Sequence, residues 1–260
     1  MSIYITGDIH ATYDIHKLMQ SRFDASGLSK DDYVIICGDF GLVWSNTENE
    51  KYWLRWLASR PFTTLFIDGN HEGFKLLNSY PMQEWRGGHV HRINDSVFHL
   101  MRGEVFNLNG TRLFSMGGAA SSEYDRKHRK PGISWFPEEV PNDEERKHAE
   151  EVLANHDWTV DVVVTHCAPT SAAEAIWDVT DRLEDHPMDE YTNWLEKING
   201  RLNYSAWFCG HYHVDAALGS KKQVLYQHII QLAEEPNEGN TFITYPTASI
   251  EESDYELEID

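Results

Sequence analysis

Five short polar blocks carry the side chains able to do chemistry: GDIH (Gly7–His10), GDFG (Gly38–Gly41), DGNHE (Asp68–Glu72), THCAP (Thr165–Pro169) and GHYH (Gly210–His213). Together they offer two carboxylates, Asp8 and Asp39, the carbonyl of Asn70, and the imidazoles of His10, His71, His166, His211 and His213. Mixed oxygen and nitrogen donors of this kind suit first-row transition ions. The set is too large for one tetrahedral ion, whereas two ions ~3.5–4 Å apart and bridged by a carboxylate would use it all. Two divalent ions bring about +4; the two Asp residues remove 2 and a bridging hydroxide 1, which leaves a centre that attracts phosphate. Asp8 and His10 stand two apart, as do His211 and His213, so each pair would point to one face if the chain stays extended there. Gly7, Gly38, Gly69 and Gly210 each precede a polar residue of a block, where a missing side chain leaves room for a bound group.

Residues so far apart in sequence need a scaffold to gather them. Nine apolar runs rich in β-branched residues read as strands: Ile3–Ile5, Tyr33–Cys37, Leu65–Ile67, Val97–Met101, Val105–Leu108, Arg112–Met116, Val162–Thr165, Ala206–Cys209 and Val224–Ile230. Each block follows one of these runs, and in α/β sheets binding sites form beyond the carboxyl ends of strands. Helical periodicity marks Ile15, Leu18 and Met19. It marks Tyr52, Trp53, Trp56 and Leu57, after a cap at Asn46 or Thr47. It also marks Glu138–Asn155, with a break near Pro141, and the stripe from Met188 to Leu202. The stretch from Val97 to Met116 reads as an antiparallel meander. Residues 119–142 lack strand character and read as a loop or lid, and the acidic end, EESDYELEID, as a solvated tail or edge strand. With no Pro/Gly/Ser linker and no internal repeat, the pattern indicates one mixed α/β domain over residues 1–260.

Composition bounds the function. The 260 residues suffice for a sizeable core. Forty-two acidic against 22 basic residues give a formal charge of -20, which argues against a nucleic-acid backbone as the main partner. The opening MSIYITGDIH shows no basic leader with an apolar core, no run reaches the ~20 apolar residues of a membrane span, and the 3 Cys form no CxxC pair. A cytoplasmic protein with buried, unpaired thiols is expected. Helical spacing places Trp53 and Trp56, with Trp44, in a core or interface rather than against a base. His89, His91 and His99 receive no role.

D-x-H, GD, GNH[ED], H and GHxH, in this order from Gly7 to His213, resemble the blocks of the calcineurin-like metallophosphoesterase superfamily, and their compact spacing resembles its bacterial and phage-borne members. The resemblance implies a fold of two mixed β-sheets packed as a sandwich between helices, four layers in the order α/β/β/α. It implies Asp8, His10 and His213 as ligands of one ion, Asn70, His166 and His211 as ligands of a second, Asp39 as the bridge, and His71 as the histidine that contacts phosphate and protonates the leaving oxygen. The metal pair is expected to be Mn, with Fe, Zn, Ni or Co as alternatives. The implied activity is hydrolysis of phosphate mono- or diesters by a metal-bridging hydroxide, with a small phosphate ester as partner, no membrane, and an open oligomeric state. Two rival readings are a nuclease of the same superfamily and a non-catalytic module that binds phosphorylated ligands through metal. This chain departs from many relatives in its second block: GDFGLVW lacks both the second acidic residue that orients the histidine and the Arg that grips phosphate. The basic run DRKHRKP (Asp125–Pro131) supplies Arg126 and Arg129 as candidates for that grip. Glu72 is expected to orient a neighbour or to cap the next helix.

Overall fold

The computed structural model describes residues 1–180, 188–237 and 240–245, so the acidic end at 251–260 lies outside the described residues. The strands are β1 Ile3–Thr6, β2 Tyr33–Ile36, β3 Thr63–Phe66, β4 Met82–Trp85, β5 Gly88–Asn94, β6 Val97–Leu100, β7 Glu104–Leu108, β8 Thr111–Met116, β9 Val162–Thr165, β10 Ala206–Cys209, β11 Ala216–Leu218, β12 Lys222–Val224, β13 Ile229–Asn237 and β14 Asn240–Tyr245. The α-helices are α1 Glu48–Ser59, α2 Phe74–Leu77, α3 Glu123–His128, α4 Asp143–Asn155, α5 Thr170–Thr180 and α6 Glu190–Arg201, with 3-10 turns at Ile15–Leu18 and Pro137–Glu139. None of the described helices is long and apolar enough to cross a membrane.

Two mixed sheets form. One has eight strands in the order β14-β13-β1-β2-β3-β6-β5-β4, the other six in the order β11-β12-β10-β9-β8-β7. Alternation along the buried strands decides the layering. Ile3, Ile5, Ile35 and Leu65 turn inward to meet Val162, Val164, Ala206 and Phe208 of the other sheet. Their neighbours Val34, Ile36 and Phe66 turn outward onto Leu57 of α1 and onto Ile15 and Leu18. On the far side Val163 and Trp207 pack on Leu153 of α4, Ile176 of α5 and Leu195 and Ile198 of α6. Each such side chain gains roughly 1.5–3 kcal/mol from burial, so strands apolar on both faces are driven between two layers. The result is the four-layer α/β/β/α sandwich.

Local chemistry sets the helix starts. The Thr47 hydroxyl accepts from the Glu50 N–H and the Glu50 carboxylate accepts from the Thr47 N–H, a capping box that opens α1. Asn142 and Glu145 do the same for α4, just after Pro141, so the break expected near Pro141 is present.

Three expectations are corrected. The run Val97–Met116 is not one meander: β6 pairs with β3 and β5 in the eight-stranded sheet, whereas β7 and β8 form a hairpin in the other. The turn between β6 and β7 carries the chain across, with Gly103 N bonded to Ser115 O. Val224–Ile230 is not one strand either. β12 ends at Val224 in one sheet and β13 begins at Ile229 in the other. Between them the N–H groups of Tyr226, Gln227 and His228 donate to the Asp215 carboxylate instead of to a strand. Ile15–Leu18 is a single 3-10 turn rather than an α-helix. Residues 119–142 hold α3, a bridge between Pro131 and Trp135, and the second 3-10 turn.

Candidate metal centre

Parallel pairing puts the carboxyl ends of β1, β2 and β3 on one edge of the first sheet, and β9 with β10 do likewise in the second. All five blocks leave from these ends and converge. The pairs do not do so by staying extended: His10, Asp39, His211 and His213 take left-handed backbone with φ of 41°, 47°, 72° and 51°. Such conformations cost non-glycine residues about 1–3 kcal/mol each and cluster at functional sites. Two glycines make the turns possible. Gly38 has φ of 94°, and a side chain there would run into the His166 ring. A Cβ on Gly69 would lie 2.1 Å from Asp39 Oδ1 and 2.7 Å from His166 Nε2.

The side chains gather around two carboxylates that are at most 1% exposed, Asp8 and Asp39. Asp8 Oδ2 is 3.3 Å from His213 Nε2 and 3.8 Å from His10 Nε2, and the two imidazole Nε2 atoms are 3.2 Å apart. Asp39 reaches both sides: Oδ2 is 3.4 Å from His10 Nε2 and Oδ1 is 3.3 Å from His166 Nε2. Asn70 Oδ1 is 3.1 Å from the same His166 nitrogen. Asp8, His10 and His213 thus form one group able to hold an ion, and Asp8, Asp39 and His166 a second, with ligand atoms inside 4.8 Å in each. The His211 ring stands 4.9 Å, centroid to centroid, from that of His166, while its backbone N–H donates to Asp8 at 3.0 Å.

The outer nitrogens explain which atoms face inward. His166 Nδ1 is 2.7 Å from the Cys37 carbonyl, a contact it makes by donating, so its Nε2 is left for the centre. His10 Nδ1 is 2.8 Å from Asp14 Oδ2, and Asp14 is itself held by Tyr226 Oη and Gln227 Nε2. Burial alone would push both rings down. The Asp14 and Asp39 carboxylates lift His10 to about 10, and Asp39 and Asp8 lift His166 to about 9. Burial raises both aspartates, yet the surrounding imidazoles overcome it and hold Asp39 well below the usual carboxylate range and Asp8 below it. Where no cation is bound, protons on the rings thus balance the two carboxylates. That donor set, inward Nε2 atoms shared between buried carboxylates, fits divalent transition ions.

His71 lies beside this cluster. Its backbone N–H donates to Asp39 Oδ1 at 2.7 Å and its Nε2 is 4.0 Å from Asp39 Oδ2. Burial, helped by Arg129, holds its ring below the ordinary 6.5 despite Asp39. Arg129 lies against the ring, 3.1 Å from Nδ1 and 3.2 Å from Nε2. Arg126 reaches Glu139 at 3.6 Å instead. Glu72 accepts from the N–H groups of Phe40 and Gly41 at 2.6 and 3.2 Å, and so ties down the block that carries Asp39.

Sequence reasoning missed several supporting residues. Asp14 had a readable signal, four residues after His10. Ser121, which receives Asn70 Nδ2 at 3.4 Å and is itself anchored to Glu139, had none. Nor did Lys17, fully buried beneath Asp8, whose ammonium donates to the carbonyls of Gly7, Asp8 and Tyr226. Cys37, Cys167 and Cys209 are buried free thiols, pushed up by burial and without a disulfide.

The family model for calcineurin-like phosphoesterases matches residues 1–215. Among solved structures, the chain is similar to a protein of unknown function from Aquifex aeolicus, at 14% identity and a TM-score of 0.34, over 78% of this chain and 87% of that one. No curated protein matches.

Proposed function

The chain belongs to the calcineurin-like phosphoesterase family and is a metal-dependent phosphoesterase, and from that premise we propose that it hydrolyses small phosphate mono- or diesters at a dinuclear centre. One observation carries this reading: the inward Nε2 atoms of His10 and His213 on one side and of His166 on the other share the carboxylates of Asp8 and Asp39. Asp8, His10 and His213 would hold one ion, Asn70, His166 and His211 the other, and Asp39 would bridge. When bound, two divalent ions, Mn in the first instance, supply positive charge to a phosphate ester and bring the pKa of water near neutrality.

The chain's own residues do the rest. Asn70 Nδ2, steadied by Ser121, is a donor beside the centre. Arg129 takes the place of the phosphate-gripping Arg missing from GDFGLVW, because it reaches the His71 ring from outside the block. His71 delivers the proton to the leaving oxygen. A phosphate seated between Arg129 and His71 would replace a cation–imidazole contact with an anion, which favours the protonated ring the step needs. The formal charge of -20 supports a small ester over a nucleic acid.

The test loads purified protein with Mn, Fe, Zn, Ni or Co in turn and assays aryl phosphate mono- and diesters beside elemental analysis. Hydrolysis with two ions per chain is expected. Protein that takes up two ions yet cleaves neither ester would favour the non-catalytic module, and metal-dependent cleavage confined to single-stranded oligonucleotides would favour the nuclease.

A further inference from the structure

Between β12 and β13 the chain crosses from one sheet to the other through residues 225–228. This turn is pinned at its backbone. The Asp215 carboxylate accepts from the N–H groups of Tyr226, Gln227 and His228 at 2.8, 2.9 and 3.0 Å. Hydrogen bonds to an ionised acceptor are the strong ones, and three of them on one side chain fix where Tyr226 and Gln227 stand.

From there the turn meets all three candidate ligands of one ion, each by a different route. For His10 the route is Asp14. Tyr226 Oη and Gln227 Nε2 donate to Asp14 Oδ1 at 3.0 and 3.1 Å, while Asp14 Oδ2 lies 2.8 Å from His10 Nδ1. The carboxylate divides its two oxygens between the turn and the imidazole, so the His10 ring cannot rotate without losing its acceptor. For His213 the route is packing: the Tyr226 ring lies 5.0 Å from it, centroid to centroid, with the planes 31° apart. For Asp8 the route is Lys17. Its buried ammonium donates to the Asp8 carbonyl at 2.7 Å, to the Gly7 carbonyl at 3.0 Å and to the Tyr226 carbonyl, and so spends its three protons.

The ligands assigned to the other ion rest on different supports. His166 Nδ1 is held by the Cys37 carbonyl at 2.7 Å and Asn70 Nδ2 by Ser121 at 3.4 Å. Partners of this kind orient a ligand and tune its donor strength, so each set of supports governs its own ion. Lys17 acts on Asp8, which borders both candidate groups; the selective effect therefore belongs to Asp14 and Tyr226. We propose that the 225–228 turn, through Asp14 and Tyr226, positions the ligands of one ion only, that of Asp8, His10 and His213, and sets its affinity separately from that of its neighbour. The proposal rests on the dinuclear reading above and adds that the two ions are held with independent strengths. Asp14 and Tyr226 are positioning residues, acting through the imidazoles they touch.

The test is a calorimetric Mn titration of the full chain, with anomalous difference maps at limiting Mn to assign each step to its site. The wild type should take up two ions. In Asp14→Ala the ion among Asp8, His10 and His213 should bind about 10–100-fold more weakly, while the ion beside Asn70 and His166 keeps its wild-type affinity. Tyr226→Leu removes the hydroxyl from Asp14 and the ring from His213, and should weaken the same step. Tyr226→Phe keeps the ring and its packing, and should weaken that step by less. Ser121→Ala should act on the other step. The ion that each variant retains shows that it is folded. Tyr226 variants that bind both ions like the wild type, or lose both alike, would overturn the proposal and leave the dinuclear reading standing. Fewer than two ions in the wild type would overturn that reading, and the proposal with it.

Discussion

Adding one methyl group at Gly69 tests how tightly the blocks are fitted together. In Gly69→Ala the new Cβ would start 2.1 Å from Asp39 Oδ1, 2.4 Å from Asp39 N and 2.7 Å from His166 Nε2. Relief needs displacements of about 1 Å, since unstrained carbon contacts lie near 3.5 Å. The carboxylate could swing away. The Asp39 amide cannot move without residues 38–41, which Glu72 pins through Phe40 N and Gly41 N at 2.6 and 3.2 Å. Overpacking of this kind costs about 1–3 kcal/mol, and misplacing a metal ligand through its supports costs about 10–100-fold in affinity. Gly27→Ala is the control: nothing lies within 4 Å of its Cβ, so it should be neutral or stabilise by up to about 1 kcal/mol. Urea unfolding of metal-free protein gives the first quantity and calorimetric Mn titration the second. A folded Gly69→Ala protein with wild-type stability and wild-type metal affinity would refute the packing argument.

His71→Ala should keep both ions and lose about 10²–10⁴-fold in turnover on an ester with a poor leaving group; full activity there would remove His71 from the reaction. Metal uptake should release protons, because His10 and His166 titrate at about 10 and 9 in the metal-free chain; calorimetry near pH 7.5 in buffers of different ionisation enthalpy should show a net release, and none would contradict the inward placement of both rings. The same raised values stabilise the metal-free fold below the ordinary histidine value of 6.5, and that stability should be lost as pH rises through 9 to 10, which urea midpoints across that window would show. Arg102→Met leaves the buried Asp68 carboxylate without its main partner and should cost about 3–5 kcal/mol, measured by the same unfolding; a loss under about 1 kcal/mol would mean that His99 alone satisfies Asp68.

The gathering of the candidate residues was more legible than the scaffold. They sit at strand ends, where a β-branched run stops at Gly-Asp, Gly-Asn-His, Thr-His or Gly-His, and the runs before them are buried along their whole length apart from half-buried Tyr4. The four-layer arrangement came from family resemblance, since periodicity alone does not say which sheet a strand joins. That is why β6 and β7 were read as neighbours although they belong to different sheets. β4, Met82–Trp85, was invisible because it is an edge strand exposed along most of its length, with no apolar alternation. α5 buries small residues, Ala172 and Ala173, beside Ile176, and so gave little of the bulky stripe that reveals a helix. Arg129 was readable as a candidate, whereas its place against His71 depends on how α3 ends and packs, which no spacing in DRKHRKP encodes.

The most direct measurement is anomalous diffraction from crystals of the Mn-loaded protein, recorded on both sides of the Mn edge. Two peaks about 3.5–4 Å apart are expected, one among Asp8, His10 and His213, the other beside Asn70 and His166, with Asp39 between them. A single peak, or peaks away from these side chains, would contradict the dinuclear centre.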